Sequence, residues 1–259
     1  MAPLLRIALG AAWSVVVTAQ DAVVATAEAV VSLDPSLFAG DGTFDWPGFG
    51  SGALALSGDG RALLVSVESF NESRGAAYSF ACNGDTLRCG QPRVLLAEDA
   101  EPQDAFSRSL AISGDGLLAA FGAPGRGGGA GGVFTSACLR SGVCGNASAV
   151  AFYDVAVGDA FGSAVAIDHA GTMLAVGAPG RSGGVGAVFI FSCSYGRCSA
   201  APVSELAPGR PLPVPEGAPL RFGAALALSA SGMRLIITAP QQCCGEGGRE
   251  STGFGEPGE

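Results

Sequence analysis

Lysine is absent from this sequence of 259 residues, and His169 is its only histidine. Without lysine the chain has neither a Schiff-base nucleophile nor the lysine of a phosphate-binding P-loop. A single histidine excludes a two-histidine zinc site. Only 14% of the residues are charged, and the net charge of −9 disfavours a nucleic-acid backbone as partner. The composition therefore points away from catalysis.

Glycine and apolar residues are abundant instead. The chain contains 41 glycines, and 48% of its residues are hydrophobic. An apolar fraction this high excludes a mostly disordered chain. The glycines have no three-residue period, which excludes collagen.

The first residues resemble a secretion signal. Arg6 precedes a mostly apolar run at 7–17, and small residues at 17–19 fit a cleavage site. An uncleaved membrane anchor or a first strand is the alternative, but Gln20 and Asp21 end the run before the roughly 20 apolar residues that an anchor needs. No other segment is long enough to span a membrane. We predict a signal peptide at 1–19, an N-terminal segment at 20–48, and a secreted or cell-surface protein.

Six of the eight cysteines form close pairs that flank turn-forming residues. The pairs are Cys82 with Cys89, Cys138 with Cys144, and Cys193 with Cys198. Zinc sites use cysteine pairs two to four residues apart in groups of four, whereas these pairs lie about 50 residues apart. Two cysteines across a hairpin turn come within disulfide distance, so we predict three hairpin disulfides.

Two further sequence features bear on the same compartment. Sequons at Asn71 and Asn146 predict glycosylation if the chain is secreted. Adjacent cysteines rarely bond to each other, so we expect Cys243 and Cys244 to pair with another chain or with a missing segment.

A unit of about 55 residues recurs along the chain. Residues 104–138 and 159–193 align without a gap and share 18 identities over 35 positions. Residues 222–240 fit the same frame, and 49–67 fit with one extra residue. The phenylalanines that open the units are Phe49, Phe106, Phe161 and Phe222.

Each unit is predicted to contain four short strands. In the third unit these are 162–167, 173–176, 187–192 and 203–206, apolar runs separated by Gly, Pro, Ser and Asp. Four strands in about 55 residues match one four-stranded antiparallel blade of a β-propeller. We expect Phe189 and Phe191 to fill the space between blades and the glycines of the repeat to allow tight turns or close backbone approach.

The alternating motifs resemble FG-GAP repeats, which build the β-propeller of integrin α subunits and related surface proteins. The motif residues are Phe49, Gly50, Phe106, Gly122, Ala123, Pro124, Phe161, Gly162, Gly177, Ala178, Pro179, Phe222, Gly223, Ala239 and Pro240. The resemblance covers roughly 49–240 and implies units at 49–105, 106–160 and 161–221, with a partial unit at 222–240. It implies that loops on the upper face contact protein partners. An irregular glycine-rich tail follows at 241–259.

Integrin-type blades often carry a nine-residue calcium loop before the GAP strand. Calcium needs several oxygen ligands converging on one point. The corresponding turns hold one carboxylate each, Asp59, Asp115 and Asp168, and the turn at Gly232 holds none. We therefore expect plain β-turns, no metal and no other cofactor, as in the metal-free type of repeat.

Some residues invite a functional interpretation. The glycine-rich stretch at 125–132 could be a phosphate loop. The equivalent position of the next unit, 180–184, lies between two predicted strands, which favours a simple connecting loop. Arg126 and Arg181 occupy equivalent positions and form either a repeated binding surface or two solvated loop arginines, the interpretation that we favour. His169 stands where other units have Gly or Ala, so we expect it to be exposed and not catalytic.

Asp104 and Asp159 also recur, each two residues before a motif phenylalanine. We expect them to hold turns through bonds from backbone to side chain. A pair of aspartates could in principle serve a glycosidase, but acids at equivalent repeat positions are more often structural.

The sequence thus predicts an all-β, secreted propeller fragment of about three and a half blades that acts as a non-catalytic binding module. Its partner would be an extracellular protein or glycan, with no nucleic acid and no membrane span. The alternatives are an accessory domain of a larger carbohydrate-active or lytic enzyme, and a structural wall or surface protein. A closed ring needs 4–8 blades, so we expect either self-association or missing blades.

Overall fold

The computed structural model describes residues 52–83, 88–97, 99–152, 154–208 and 219–240, together with two short strands near the amino terminus. These strands, β1 (Ser14–Val16) and β2 (Val30–Ser32), pair antiparallel. The signal cleavage site, Phe49, Gly50, Cys243, Cys244 and the tail at 241–259 lie outside the described residues. In the described part, no helix is long and apolar enough to cross a membrane.

The chain is all-β and its sheets are antiparallel. Sheets 1 and 2 are four-stranded, with each strand beside the next along the chain. Sheet 1 contains β3 (Leu54–Leu56), β4 (Ala62–Val67), β5 (Ala76–Ala81) and β6 (Arg93–Leu95). Sheet 2 contains β7 (Ser109–Ile112), β8 (Leu118–Ala123), β9 (Gly132–Ala137) and β10 (Ser148–Ala149).

Sheet 3 repeats this pattern with one added short strand. It contains β11 (Ala164–Ile167), β12 (Met173–Ala178), β13 (Ala187–Ser194), β14 (Arg197–Cys198) and β15 (Ser204–Leu206). The third and fourth strands of the pattern are β13 and β15, and β14 forms a cysteine hairpin with the end of β13. Sheet 4 contains β16 (Leu226–Leu228) and β17 (Leu235–Ile237).

The four strands predicted for the third unit are confirmed, with ends shifted by one or two residues. The first begins at Ala164 because Gly162 takes a φ of +89° and lies outside the ladder. The GAP strands β8 and β12 stop immediately before Pro124 and Pro179. Proline has no N–H to donate to the next strand, so the ladder ends there.

The hydrophobic core lies in layers between neighbouring sheets. Phe106 packs with Phe121 and Phe134 between sheets 1 and 2, beside Leu64 of sheet 1. The layer between sheets 2 and 3 contains Phe161, Phe189 and Phe191. Burying each ring contributes about 1.5–3 kcal/mol to folding. Phe106 and Phe161 therefore anchor sheets 2 and 3 to the sheets before them.

The motif glycines bring neighbouring sheets into backbone contact. A Cβ on Gly177 of β12 would overlap the carbonyl oxygen of Gly223 in the next unit. The same relation holds between Gly122 and Gly162. The predicted close approach of backbone at these glycines is thus confirmed, and no larger residue fits without separating the sheets.

The antiparallel order gives the sheets two distinct ends. The hairpin end carries the turns between first and second strands and the cysteine hairpins between third and fourth strands. The loop end carries the turns between second and third strands and the loops that lead from one sheet to the next. Three of these loop-end turns are four-residue helical turns, α1 (Phe70–Ser73), α2 (Arg126–Gly129) and α3 (Arg181–Gly184).

Candidate binding site

The glycine-rich stretch lies at the loop end as a connection between β8 and β9. Within α2, Gly127 and Gly128 have φ values of 61° and 71°, so the segment is a tight turn between strands. Ser182 and Gly183 take the same conformation in α3. The prediction of a strand-to-strand loop is confirmed, because neither turn opens a longer helix whose N–H groups could face an anion.

Arg126 is held in an arginine clasp, formed by one guanidinium and two aspartates of the preceding loop. Its guanidinium pairs with Asp99 and, at 3.4 Å, with Asp104. It also lies over the ring of Phe134, 5.1 Å from the ring centroid. The Asp104 side chain is 5% exposed, and a carboxylate this buried requires a partner.

Arg181 forms an equivalent clasp one repeat later. It pairs with Asp154 at 2.9 Å and with Asp159 at 3.0 Å, and lies over the ring of Phe189. Glu205 adds a third carboxylate at 3.6 Å. The arginine side chain is 18% exposed, against 27% for Arg126. Both arginines are ion-paired and only partly exposed, so the structure corrects the interpretation of two solvated loop arginines.

The clasps shift the ionisation of their members. Hydrogen bonding from Arg126 holds the pKa of Asp99 below its usual range, and the same bond raises the pKa of Arg126. Burial acts to lower the pKa of Arg181, but its bonds to Asp159 and Asp154 outweigh burial and raise the pKa. Asp99, Arg126 and Arg181 therefore remain charged at neutral pH.

Asp104 and Asp159 also hold the turns predicted for them. The Asp104 carboxylate accepts a hydrogen bond from the backbone N–H of Glu101, and Asp159 accepts one from that of Ala156, each at 3.0 Å. The two acids thus stabilise a loop and neutralise an arginine at once.

The second aspartate of each clasp was missed by sequence reasoning. Asp99 and Asp154 each lie five residues before the recognised aspartate. The signal was available, because the 55-residue spacing that aligns Asp104 with Asp159 also aligns this second pair. Asp99 and Asp154 lie just outside the aligned segments in which identical residues are frequent, in loops whose other residues differ.

A cavity of about 790 Å³ opens at the loop end between sheets 3 and 4. It is bounded by three segments, the inter-sheet loop at 156–160, the turn at 179–184, and Pro219 with Arg221. Val157 is 76% exposed at this site. The clasp of Arg181 lies directly behind it, since Asp159 and the α3 turn belong to both.

The hairpin end contains the three predicted disulfides, all of which are confirmed. They join Cys82 to Cys89, Cys138 to Cys144, and Cys193 to Cys198. Each closes the hairpin between the third and fourth strands of its sheet. Three disulfides in one chain indicate an oxidising environment.

The turns that occupy the calcium-loop positions have their carboxylates bonded locally. Ser57 donates to Asp59 and Ser113 donates to Asp115, each at 2.6 Å. Asp168 accepts from the backbone and the hydroxyl of Thr172. These carboxylates stabilise the turns predicted from the sequence. No group of three or more metal-ligating side chains gathers among the described residues.

His169 and the two sequon asparagines are exposed. The backbone N–H of His169 donates to Ala230, and its ring lies against Gly114 of the neighbouring turn. The residue is therefore exposed as predicted but constrained by its neighbours. Asn71 is exposed in α1, and Asn146 accepts a hydrogen bond from Arg93.

The arrangement of these residues offers surfaces for binding at both ends of the sheets. Neither the family models nor the curated proteins include any match to this chain.

Proposed function

We propose that this chain is a secreted, non-catalytic β-propeller module of the FG-GAP type that binds an extracellular protein or glycan at its loop end. The contacts between sheets support the propeller. The first strands of successive sheets touch in order, β3 with β7, β7 with β11, and β11 with β16. First strands that line up in this way surround a common axis, as in a propeller.

The observation that carries the binding role is the loop-end cavity. Its volume of about 790 Å³ lies within the range of ligand sites, and loops on a rigid scaffold are where recognition concentrates. The clasp behind it fixes the α3 turn and the 156–160 loop, so the cavity is preorganised. A preorganised wall loses less entropy on binding.

Saturable binding tests this role. The labelled full chain is titrated onto the extracellular matrix and surface glycoproteins of the cells that secrete it. We expect Val157→Asp with Arg221→Glu to abolish saturable binding to components that carry no acidic polysaccharide, since both residues line the cavity. Val94→Asp with Arg93→Glu, which changes exposed residues of β6 outside the cavity, is the matched control and should bind normally.

The remaining outcomes separate the alternatives. A chain that shows no saturable ligand is a structural surface protein. Catalytic sequence in a longer gene product would make these repeats the accessory domain of an enzyme.

Sheet 4 supports the expectation of self-association or of further blades. Ile236 is 69% exposed, whereas its counterparts Ala120 and Ala175 are completely buried by the following sheet. A further sheet, from this chain type or from a continuation, would cover the same face. Light scattering on size-exclusion peaks distinguishes a discrete dimer from a monomer, and Ile236→Asp should dissociate the dimer.

A further inference from the structure

We propose that the hairpin end is a second binding site, specific for an anionic polysaccharide and carried by arginines of the disulfide hairpins. This site lies opposite the loop-end cavity and does not depend on it. Its central residues are Arg140 and Arg197, with Arg88 in the first hairpin.

One arginine occurs inside each disulfide hairpin. These hairpin arginines, Arg88, Arg140 and Arg197, are all exposed. None has an ion-pair partner among the described residues, although the chain as a whole is acidic, with 23 Asp and Glu against 14 Arg. Guanidinium groups left without a carboxylate are available for sulfate or carboxylate groups, which they bind in bidentate fashion.

The charge of this end differs from that of the whole chain. The described turns and hairpins here contain five arginines and three aspartates. The arginines are Arg61, Arg88, Arg140, Arg197 and Arg234, and the aspartates are Asp59, Asp115 and Asp168. Asp59 pairs with Arg61 at 4.0 Å, so the other described arginines of this end outnumber the other carboxylates by four to two.

The hairpins lie side by side along one edge. Gly196 of the third hairpin packs against Ala137, next to Cys138 of the second. Gly142 of the second packs in turn against Arg61 and Ala81 of sheet 1. The second and third hairpins are closed by disulfides, so Arg140 and Arg197 are presented on short and rigid loops. Positive charges repeated along an edge match a linear polymer with repeated negative charges.

An aromatic ring beside the arginines favours a polysaccharide among such polymers. Tyr195, between the cysteines of the third hairpin, is fully exposed. It borders a groove of about 360 Å³ that also contains Asp115, Ala137 and Ala170. The ring face offers apolar contact to the C–H face of a sugar, and the Asp115 carboxylate can accept hydrogen bonds from sugar hydroxyls. The disulfides indicate an oxidising compartment, where acidic polysaccharides are common partners.

The test compares the binding of the full chain to dextran sulfate and to neutral dextran of the same length, at low and at physiological salt. We expect saturable, salt-sensitive binding to dextran sulfate alone. Arg140→Gln with Arg197→Gln should weaken it at least about tenfold, since each removes a charge-assisted contact. Tyr195→Ala should weaken it by a smaller factor. Arg93→Gln with Arg108→Gln removes the same charge at exposed positions outside both sites and should leave binding unchanged.

Several results would overturn the proposal. They are absence of binding to dextran sulfate at low salt, equal losses in the two double variants, and tighter binding to single-stranded DNA or to phosphatidylserine vesicles. Retention of binding in Val157→Asp with Arg221→Glu shows that the two sites are separate. A failure of the loop-end site therefore leaves this one intact, and the reverse also holds.

Discussion

The two ends of the molecule use arginine in opposite ways. At the loop end, Arg126 and Arg181 are partly buried, and each pairs with two aspartates and an aromatic ring. At the hairpin end, Arg140 and Arg197 repeat with similar regularity but are exposed and have no acidic partner among the described residues.

The difference lies in what precedes each arginine in the chain. Both clasps have aspartates 27 and 22 residues upstream, in the loop that enters the sheet. The hairpin arginines lie within closed cysteine loops of a few residues that contain no acid in the second and third hairpins. Recurrence of an arginine at equivalent repeat positions therefore does not distinguish a structural arginine from a surface arginine. The presence of aspartates 27 and 22 residues upstream does distinguish them.

The largest effect is expected at the backbone contacts that join sheets at the loop end. Gly186 has a φ of +85°, and a Cβ there would overlap the backbone of Phe222. Gly186→Ala should lower the free energy of unfolding by about 3–5 kcal/mol, measured by urea denaturation. Gly183→Ala is the control, because no atom lies within 4 Å of its Cβ position, and it should cost about 1 kcal/mol. Equal losses would show that the overlap does not matter.

Removal of a clasp arginine should cause the second-largest loss of unfolding free energy. Arg181→Ala leaves Asp159, whose side chain is 8% exposed, without its counter-charge. We expect a loss of about 2–4 kcal/mol in unfolding free energy. Arg197→Ala at the hairpin end should change stability by less than about 0.5 kcal/mol. Similar losses in both variants would show that the arginines of the two ends contribute equally to stability.

Removal of a disulfide should have an intermediate effect. Cys193→Ser with Cys198→Ser opens a short hairpin, and the chain-entropy model gives a loss of about 2 kcal/mol for a loop of this size. Polysaccharide binding should fall with it, because Tyr195 and Arg197 would no longer be held rigidly. A variant that loses stability but binds normally would show that hairpin rigidity is not needed for recognition.

The smallest effect concerns pH. The pKa of Asp99 is lower in the folded chain than in the unfolded one, because Arg126 bonds to the carboxylate. Its stabilisation is therefore complete above about pH 4 and is lost as the pH falls through the folded pKa. Since the Asp99 side chain is 62% exposed, screening limits the effect to less than about 1 kcal/mol. The melting temperatures of wild type and Asp99→Asn should differ at pH 7 and converge near pH 2.

The strands, turns and disulfides could be predicted because each depends on neighbours in sequence. Alternation of apolar runs with glycine and proline placed β12 and β13 correctly, and the spacing of Cys193 and Cys198 indicated their bond. The environment of Arg181 could not be predicted in the same way. Its exposure depends on Asp154 and Asp159, which reach it only after the loop has folded back over the sheet.

At the loop end, the backbone bonds that the motif phenylalanines make between successive sheets run in one direction. The N–H groups of Phe106, Phe161 and Phe222 donate to Arg74, Ala130 and Val185 of the unit before. Each unit thus needs only what the ribosome has already made in order to dock. Vectorial synthesis would let the sheets assemble in sequence, and a nascent chain halted between units would expose a single unfinished face to chaperones.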